Sequence, residues 1–314
     1  MMNTRRETSI QVQTVLFCND TYSLLRSLKH MANAVRVARQ NGVEVHVRVA
    51  WGDASPEPLF DETALNEIRQ KYREELELDY TFFHRNTGTS LGHNTLAKNC
   101  TDEYLLVMNP DIVPSPTFFM EIRKPFEHKG STPVGAVEAR QTPLEHQKTY
   151  HPDTGETDWN SGACTLYLTK AFQQVHGYDA DSFFLYCDDV DLSFRIRLAG
   201  YTLLYQPSAV VYHDKRLDEN GIWASSEVER NYSAEARLLM TWKWSFPKEL
   251  DQLLKHYKET GAPEYRFALQ KFEERRKNNT LPAQLDPEHR VGFVLLDDNF
   301  DARYDRPEEK QSED

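Results

Sequence analysis

No apolar run in this 314-residue chain approaches the roughly 20 residues a bilayer-spanning helix needs; the longest, residues 14–18 and 104–108, are a fraction of that. The N-terminus, Met-Met-Asn-Thr-Arg-Arg-Glu, has no signal-peptide core, so the chain reads as cytoplasmic. Cysteine is scarce. Cys18, Cys100, Cys164 and Cys187 stand far apart with no Cys-x-x-Cys pair, which excludes a zinc ribbon and a secreted disulfide framework and leaves four free thiols. Basic charge is in deficit, 37 Lys and Arg against 49 Asp and Glu, so a broad electrostatic grip on nucleic acid or an anionic membrane surface is not expected. Also missing are the Gly-x-x-x-x-Gly-Lys-Ser/Thr phosphate loop, the dinucleotide glycine fingerprint, the Gly-x-Ser-x-Gly elbow and the His-Glu-x-x-His helix. With them go the common ATPase, NAD-enzyme, serine-hydrolase and zinc-protease readings.

What is there is an alternation of strand and helix patterns through the first half, the signature of an α/β sheet with mainly parallel strands. Residues 13–18 predict a buried strand, and the helical apolar period from Leu24 to Val37 ends at Asn41-Gly42. Residues 43–50 alternate as a second strand that runs into the turn-rich 51–56. A charged helix is expected over 62–76, a strand over 80–84, a loop over 86–94 and a helix from about Thr95. Residues 104–108 are continuously apolar, as in a strand covered on both faces, and lead directly into Asn109-Pro110-Asp111. Further strands are predicted over 132–139, 163–168, 202–205 and 210–213, with a polar loop over 141–159 and a helix over about 190–199 closed by Gly200. Beyond Asp214 the pattern turns helical, over 228–244 and 248–276, with a late strand over 291–296 and an acidic tail at 297–314.

The chemistry concentrates between Phe183 and His213. Asp188, Asp189 and Asp191 lie between an aromatic run and a helical segment; like charges this close raise one another's pKa unless a cation or an accepted proton compensates. Their bland alternative is an acidic N-cap region. Asp111 directly follows an apolar strand, good placement for a ligand of a hard divalent cation; it equally suits a turn-forming Asp. His213 after its apolar run is either a ligand or a hydrogen-bonded core histidine. Asn86, Gly88, Gly92, His93 and Asn94 form a small, polar stretch able to lie against phosphates or to be an ordinary turn. Trp159-Asn160-Ser161-Gly162 offers an aromatic face and a close backbone approach to a sugar, or simply a core Trp at a turn.

In order along the chain, from about residue 14 to 240, these pieces resemble the inverting nucleotide-sugar glycosyltransferases of family 2, with rhamnosyltransferase-like members the nearest in pattern. The segment from Phe183 to Arg195 is the specific one. The resemblance implies the GT-A fold: a Rossmann-like, mostly parallel central sheet flanked by helices. The catalytic domain would cover 1–226, with a nucleotide-sugar half at about 10–112 and an acceptor half at 113–226, followed by a helical appendage at 227–296 and the tail at 297–314. It further implies that Asn19, Asp20 and Asp53 contact base and ribose, that Asn86, Gly88, Asn94, Asn109 and Asp111 line the donor, and that Trp159, Ser161, Gly162 and Asp188 face the acceptor. Asp189 would be the general base and Asp188 its tuning or positioning neighbour. Asp111 and His213 would hold a divalent metal, Mg²⁺ or Mn²⁺. Asn109 departs from the family pattern: it replaces the first acid of the Asp-x-Asp motif, leaving the site one carboxylate short.

The expected reaction is a single in-line displacement moving a sugar, L-rhamnose from dTDP-rhamnose in the closest pattern, to a hydroxyl of a glycan or lipid-linked acceptor in surface polysaccharide synthesis. A nucleotide-diphosphate sugar and that acceptor are then the partners, at the inner face of the membrane through peripheral contact, with the C-terminal helices available for a homodimer. Three alternatives remain: a UDP-sugar transferase of the same fold, a non-catalytic nucleotide-sugar or carbohydrate-binding scaffold, and a nucleotidyltransferase. The last usually needs a basic, Gly-rich loop that residues 14–24 do not have.

Overall fold

The structure, a computed structural model, describes residues 7–127, 131–145, 149–215 and 225–293. Strand β1 (Thr8–Leu16) leads to helix α1 (Thr21–Gln40), then β2 (Val45–Asp53), α2 (Glu62–Tyr72), β3 (Leu76–Phe82), α3 (Gly88–Ala97) and β4 (Tyr104–Met108). A short β5 (Ile112–Pro114) and α4 (Phe118–Ile122) precede β6 (Val134–Thr142), β7 (Glu156–Thr157), β8 (Cys164–Leu168), α5 (Thr169–Gln174), α6 (Asp188–Leu198) and β9 (Thr202–His213). Helices α7 (Glu227–Lys243), α8 (Pro247–Thr260) and α9 (Pro263–Lys277) complete the described elements.

The sheet order is β3-β2-β1-β4-β8-β6-β9-β5, with β7 beside β9. β1 to β4 are parallel to one another; β8 runs against both β4 and β6, so β6 and β9 share the direction of β1 to β4. The expected α/β sheet, mostly parallel and flanked by helices, is therefore present. Leu16, Asp53 and Phe82 end their strands in register. Met108 pairs with Cys164, and His213 with Ile112. The carboxyl ends of β1, β2, β3, β4 and β9 thus share one edge, where open α/β sheets bind ligands.

Local chemistry explains the elements. Asp20 caps α1 by accepting the Ser23 N–H at 2.9 Å, and Leu24, Leu28, Met31, Ala32 and Val35 bury the helix's sheet-facing stripe. Another core forms where α7 to α9 meet α6: Trp244 is fully buried with its ring 5.0 Å from Phe194, alongside Leu238, Leu239, Tyr257 and Phe272. The helices of the C-terminal appendage therefore rest on the helix that carries the three aspartates.

Several boundaries differ from expectation. β1 starts five residues before 13, β2 continues through Trp51-Gly52-Asp53, and β3 begins at Leu76, cutting α2 short at Tyr72. The expected loop at 86–94 is mostly helix, because α3 starts at Gly88. Gly88 sits at φ 63° with the Phe184 carbonyl against it, and Gly92 packs on Val15, so tertiary contact overrides weak helix propensity. α6 begins at Asp188 rather than Val190. Residues 202–205 and 210–213 belong to one irregular strand, β9. The helical stretch 248–276 breaks at Gly261, which is left-handed at φ 62°, ahead of Pro263. No strand forms over 291–293; residues 294–296, residues 146–148 of the expected polar loop and the acidic tail 297–314 lie outside the described residues. All four cysteines are free, and among the described residues no helix is long and apolar enough to cross a membrane.

Candidate active site

The three aspartates of α6 have separate surroundings. Asp188 is buried, and its Oδ2 accepts the Thr89 and Ser90 hydroxyls at 2.9 and 3.0 Å. Burial, then the charge of Asp189, pushes its pKa up to about 7, against the pull of the two hydroxyls. Asp189 is half-buried; its Oδ2 accepts the Gly162 N–H at 2.8 Å and its Oδ1 the Val190 N–H at 2.8 Å. The carboxylate is thereby held between the turn before β8 and the first turn of α6. Asp191 is fully buried and faces away into the C-terminal helices. None of the three is the helix cap, the bland alternative for them: Cys187 occupies that position, with no side-chain cap bond. Tyr186 and Cys187 are consecutive left-handed residues, at φ 67° and 56°. Such backbone costs about 1–3 kcal/mol per residue and persists where surroundings impose it.

The turn before β8 links the acids to the sheet edge. Ser161 N–H donates to the buried Glu138 Oε2 at 3.0 Å, and Asn160 Nδ2 to the Leu204 carbonyl at 3.0 Å. Gly162 holds Asp189, while the next residue, Ala163, accepts the Asn109 N–H at 2.9 Å. Trp159 is buried among α6 and α7 residues, so its ring serves that core rather than an open sugar face.

Beyond Asn109, Asp111 and His213 come together: Asp111 Oδ1 lies 3.3 Å from His213 Nε2, with their strands paired at Ile112. His213 Nδ1 lies 2.8 Å from Gln141 Oε1, so the ring is held from the side opposite Asp111. Two ligands at right angles around an octahedral Mg²⁺ or Mn²⁺ are about 3 Å apart, so one carboxylate and one imidazole at this spacing fit two of its positions. Asn109 adds an amide rather than a charge. Among the described residues no group of three or more His, Cys, Asp or Glu is placed to hold a metal. Lys215, two residues past His213, has its pKa lowered to about 8 by burial, against the charges of Asp111 and Glu145. Arg26 of α1 pairs with Asp214, whose N–H donates to the Asp111 carbonyl at 3.0 Å.

The remaining donor-side residues divide. Asp20 is exposed and committed to capping α1, its pKa lowered chiefly by the Ser23 N–H. Asn19 accepts the Phe17 N–H at 2.8 Å, and Asn86 the Gly88 N–H at 3.0 Å. Asp53 is fully buried, with Oδ1 on the Ser55 N–H at 2.9 Å and Oδ2 on the Leu59 N–H at 2.8 Å and the Tyr80 hydroxyl. It therefore shapes the 53–59 turn and presents no open carboxylate. Asn94 likewise is a strut: its amide donates to the Tyr178 carbonyl at 2.7 Å and accepts the Tyr178 N–H at 2.9 Å. The acids and the Asp111–His213 pair are linked through the 160–163 turn; Asp53 and Asn94 are not part of that assembly. Thr89, Ser90, Glu138 and Gln141 escaped sequence reasoning. Only the adjacency of Thr89 and Ser90 to Gly88 hinted at two of them.

No protein-family model matches the chain. Over 74 residues it is 40% identical to an N-acetylglucosaminyl-diphospho-decaprenol L-rhamnosyltransferase of Mycobacterium tuberculosis (strain CDC 1551 / Oshkosh), a stretch amounting to 24% of each protein. Over 63 residues it is 41% identical to Rhamnosyltransferase WbbL of Escherichia coli (strain K12), covering 19% of this chain and 24% of that one. The matched stretch thus spans about a quarter of the curated relatives' length. Among solved structures, mannosyltransferase PcManGT from Pyrobaculum calidifontis in complex with GDP-Man and Mn²⁺ aligns over 84% of this chain and 69% of its own, with TM-score 0.51 and 15% identity. GalNAc-T7 with UDP, GalNAc and Mn²⁺ aligns over 88% and 55%, with TM-score 0.55 and 13% identity. Residues 1–349 of S. aureus TarS align over 86% and 92%, with TM-score 0.52 and 12% identity. The fold is that of the GT-A glycosyltransferases, and the rhamnosyltransferase-like resemblance read from the sequence reappears in the curated matches.

Proposed function

We propose that this chain is an inverting glycosyltransferase that moves a sugar, L-rhamnose from dTDP-rhamnose as first choice, from a nucleotide-diphosphate donor to a hydroxyl of a glycan or lipid-linked saccharide. The observation that carries the reading is the continuous backbone link from Asp189 through Gly162 and Ala163 to Asn109, and so to the strand end that bears Asp111 beside His213. A proton acceptor and a candidate phosphate-binding corner thereby share one sheet edge. The local rhamnosyltransferase matches favour that sugar, and the lipid-linked substrate in one relative's name favours a saccharide carried at the inner face of the membrane.

In this reading the donor's diphosphate lies at the corner formed by Asn109, Asp111 and His213. A divalent metal held by Asp111 Oδ1 and His213 Nε2 would neutralise charge building on the leaving diphosphate. Asp189 takes the acceptor proton as the hydroxyl attacks the anomeric carbon from the opposite face, so no covalent enzyme intermediate forms. The Gly162 and Val190 N–H groups hold it in place. Asp188, protonated or shared near neutral pH, keeps a second full negative charge from forming beside the base. Buried Glu138 fixes the Ser161 N–H, which orients the turn that carries Gly162.

Thermal-shift screening against dTDP-rhamnose, UDP-sugars and GDP-sugars tests the donor, since a ligand that binds the native state raises the melting temperature. Sugar transfer or donor hydrolysis measured with and without Mn²⁺ then separates an enzyme from a scaffold. A protein that binds a nucleotide sugar but neither hydrolyses nor transfers it would overturn the catalytic reading.

A further inference from the structure

We propose that Lys243, at the end of α7, is a positioning residue for the acidic turn of α6, and that the C-terminal helices act through it as a clamp on the catalytic carboxylates. The inference rests on the reading of Asp189 as the base. Lys243 is nearly buried, and its ammonium lies 2.6 Å from Asp191 Oδ1 and 2.6 Å from Asp179 Oδ2. It also sits 5.4 Å over the Phe183 ring. One cation thus ties together both ends of the segment 179–191, which contains Asp188, Asp189 and the left-handed pair Tyr186 and Cys187.

Its neighbours reinforce the tie. Asp191 also accepts Arg195 Nε at 2.7 Å and Trp244 Nε1 at 3.1 Å, so its carboxylate is matched by donors from α6 and from the C-terminal unit at once. Arg195 Nη1 reaches the carbonyls of Val175 and Gly177 at 2.7 and 2.6 Å, at the entry to the same segment. From α9, Arg275 donates to the carbonyls of Asp181 and Ser182 at 3.0 and 3.4 Å. A buried carboxylate needs a cation or full hydrogen bonding, and a lysine ammonium can serve two carboxylates at different angles. Arg195 supplies one cation from α6 itself, and Lys243 supplies the second, which alone also reaches Asp179 at the far end of the segment. The strained backbone that precedes α6 is therefore held by Arg195 of α6 together with Lys243 and Arg275 of the C-terminal helices, side chains that need not touch either substrate.

A small displacement of a base from its attack geometry costs turnover more than it costs donor binding. Lys243→Met is expected to lower kcat about 10- to 100-fold with the donor KM within a factor of about two, and Lys243→Arg to recover part of that loss. Asp179→Asn removes one tie without stranding a buried cation, and is expected to lower kcat several-fold in a protein that folds even if Lys243→Met does not. Trp242→Phe is the control: it removes the Trp242 Nε1 bond to the Pro282 carbonyl, at 2.9 Å, which lies inside the same helical unit and is none of the contacts that tie 179–191. Its kcat is expected to equal wild type after any loss of melting temperature. The proposal is overturned if Lys243→Met and Asp179→Asn both turn over at the wild-type rate, or if Trp242→Phe loses kcat as much as they do. Wild-type protein with no transfer or hydrolysis on any donor would instead remove the reading of Asp189 beneath it.

Discussion

The Asp189 carboxylate accepts the Gly162 N–H at 2.8 Å, so the proposed base is fixed to the turn that leads into β8 and, through Ala163, to Asn109. A side chain at 162 would intrude on that contact, because a Cβ there would lie 3.3 Å from the Asp189 Cβ. Gly162→Ala is expected to lower kcat by about tenfold or more while costing only about 1–2 kcal/mol of stability. Steady-state kinetics beside urea unfolding checks both numbers; an unchanged kcat would separate Gly162 from the base.

Asp188 makes stability depend on pH with a defined sign. Its native pKa of about 7 lies above the ordinary 3.8, so between those values the folded protein holds a proton that the unfolded chain has released. That contribution is complete below pH of about 4 and lost as pH rises through about 7. Asp188→Asn, which stays neutral, should match wild type near pH 4 and exceed it near pH 8 by on the order of 4 kcal/mol. Urea unfolding at the two pH values measures this. A difference that does not grow with pH contradicts the burial assigned to Asp188.

In the metal corner proposed for Asp111 and His213, Asn109 contributes an amide where a further acid would add charge. Asn109→Asp is expected to raise apparent Mn²⁺ affinity about tenfold in the presence of a nucleoside diphosphate, and Asp111→Ala to abolish the Mn²⁺-dependent rise in melting temperature. Calorimetric titration with Mn²⁺ and the diphosphate reads this without relying on turnover.

Asp53 carries a prediction of a different kind. Its buried carboxylate satisfies the Ser55 and Leu59 N–H groups and the Tyr80 hydroxyl. Asp53→Ala strands those donors and is expected to cost about 3 kcal/mol or more in urea unfolding. A variant with wild-type stability and weakened nucleotide binding would return Asp53 to the direct donor contact implied by the family resemblance.

Much of this architecture is legible in the sequence because it is local. The apolar run at 104–108 and the Asn-Pro break place Asp111 at a strand end, and the acidic run leading into a helical segment marks α6. What was missed depends on partners far along the chain. Asp191 reads as an ordinary first-turn acid until Lys243 and Trp244 arrive from α7. The start of α3 depends on Gly88 fitting against Phe184, and the extension of β2 through Trp51-Gly52-Asp53 depends on pairing with β1 and β3 on both sides. Asp53 has the look of a ligand contact in sequence; its enclosure by Leu59 and Tyr80 is visible only once β3 lies alongside β2.

The division of labour on α6 is tested most directly by Asp189→Asn, assayed for sugar transfer and for donor binding in parallel. The expected result is turnover lower by about three orders of magnitude or more, with nucleotide-sugar affinity within about twofold of wild type. Turnover near wild type in that variant would contradict the assignment of Asp189 as the base.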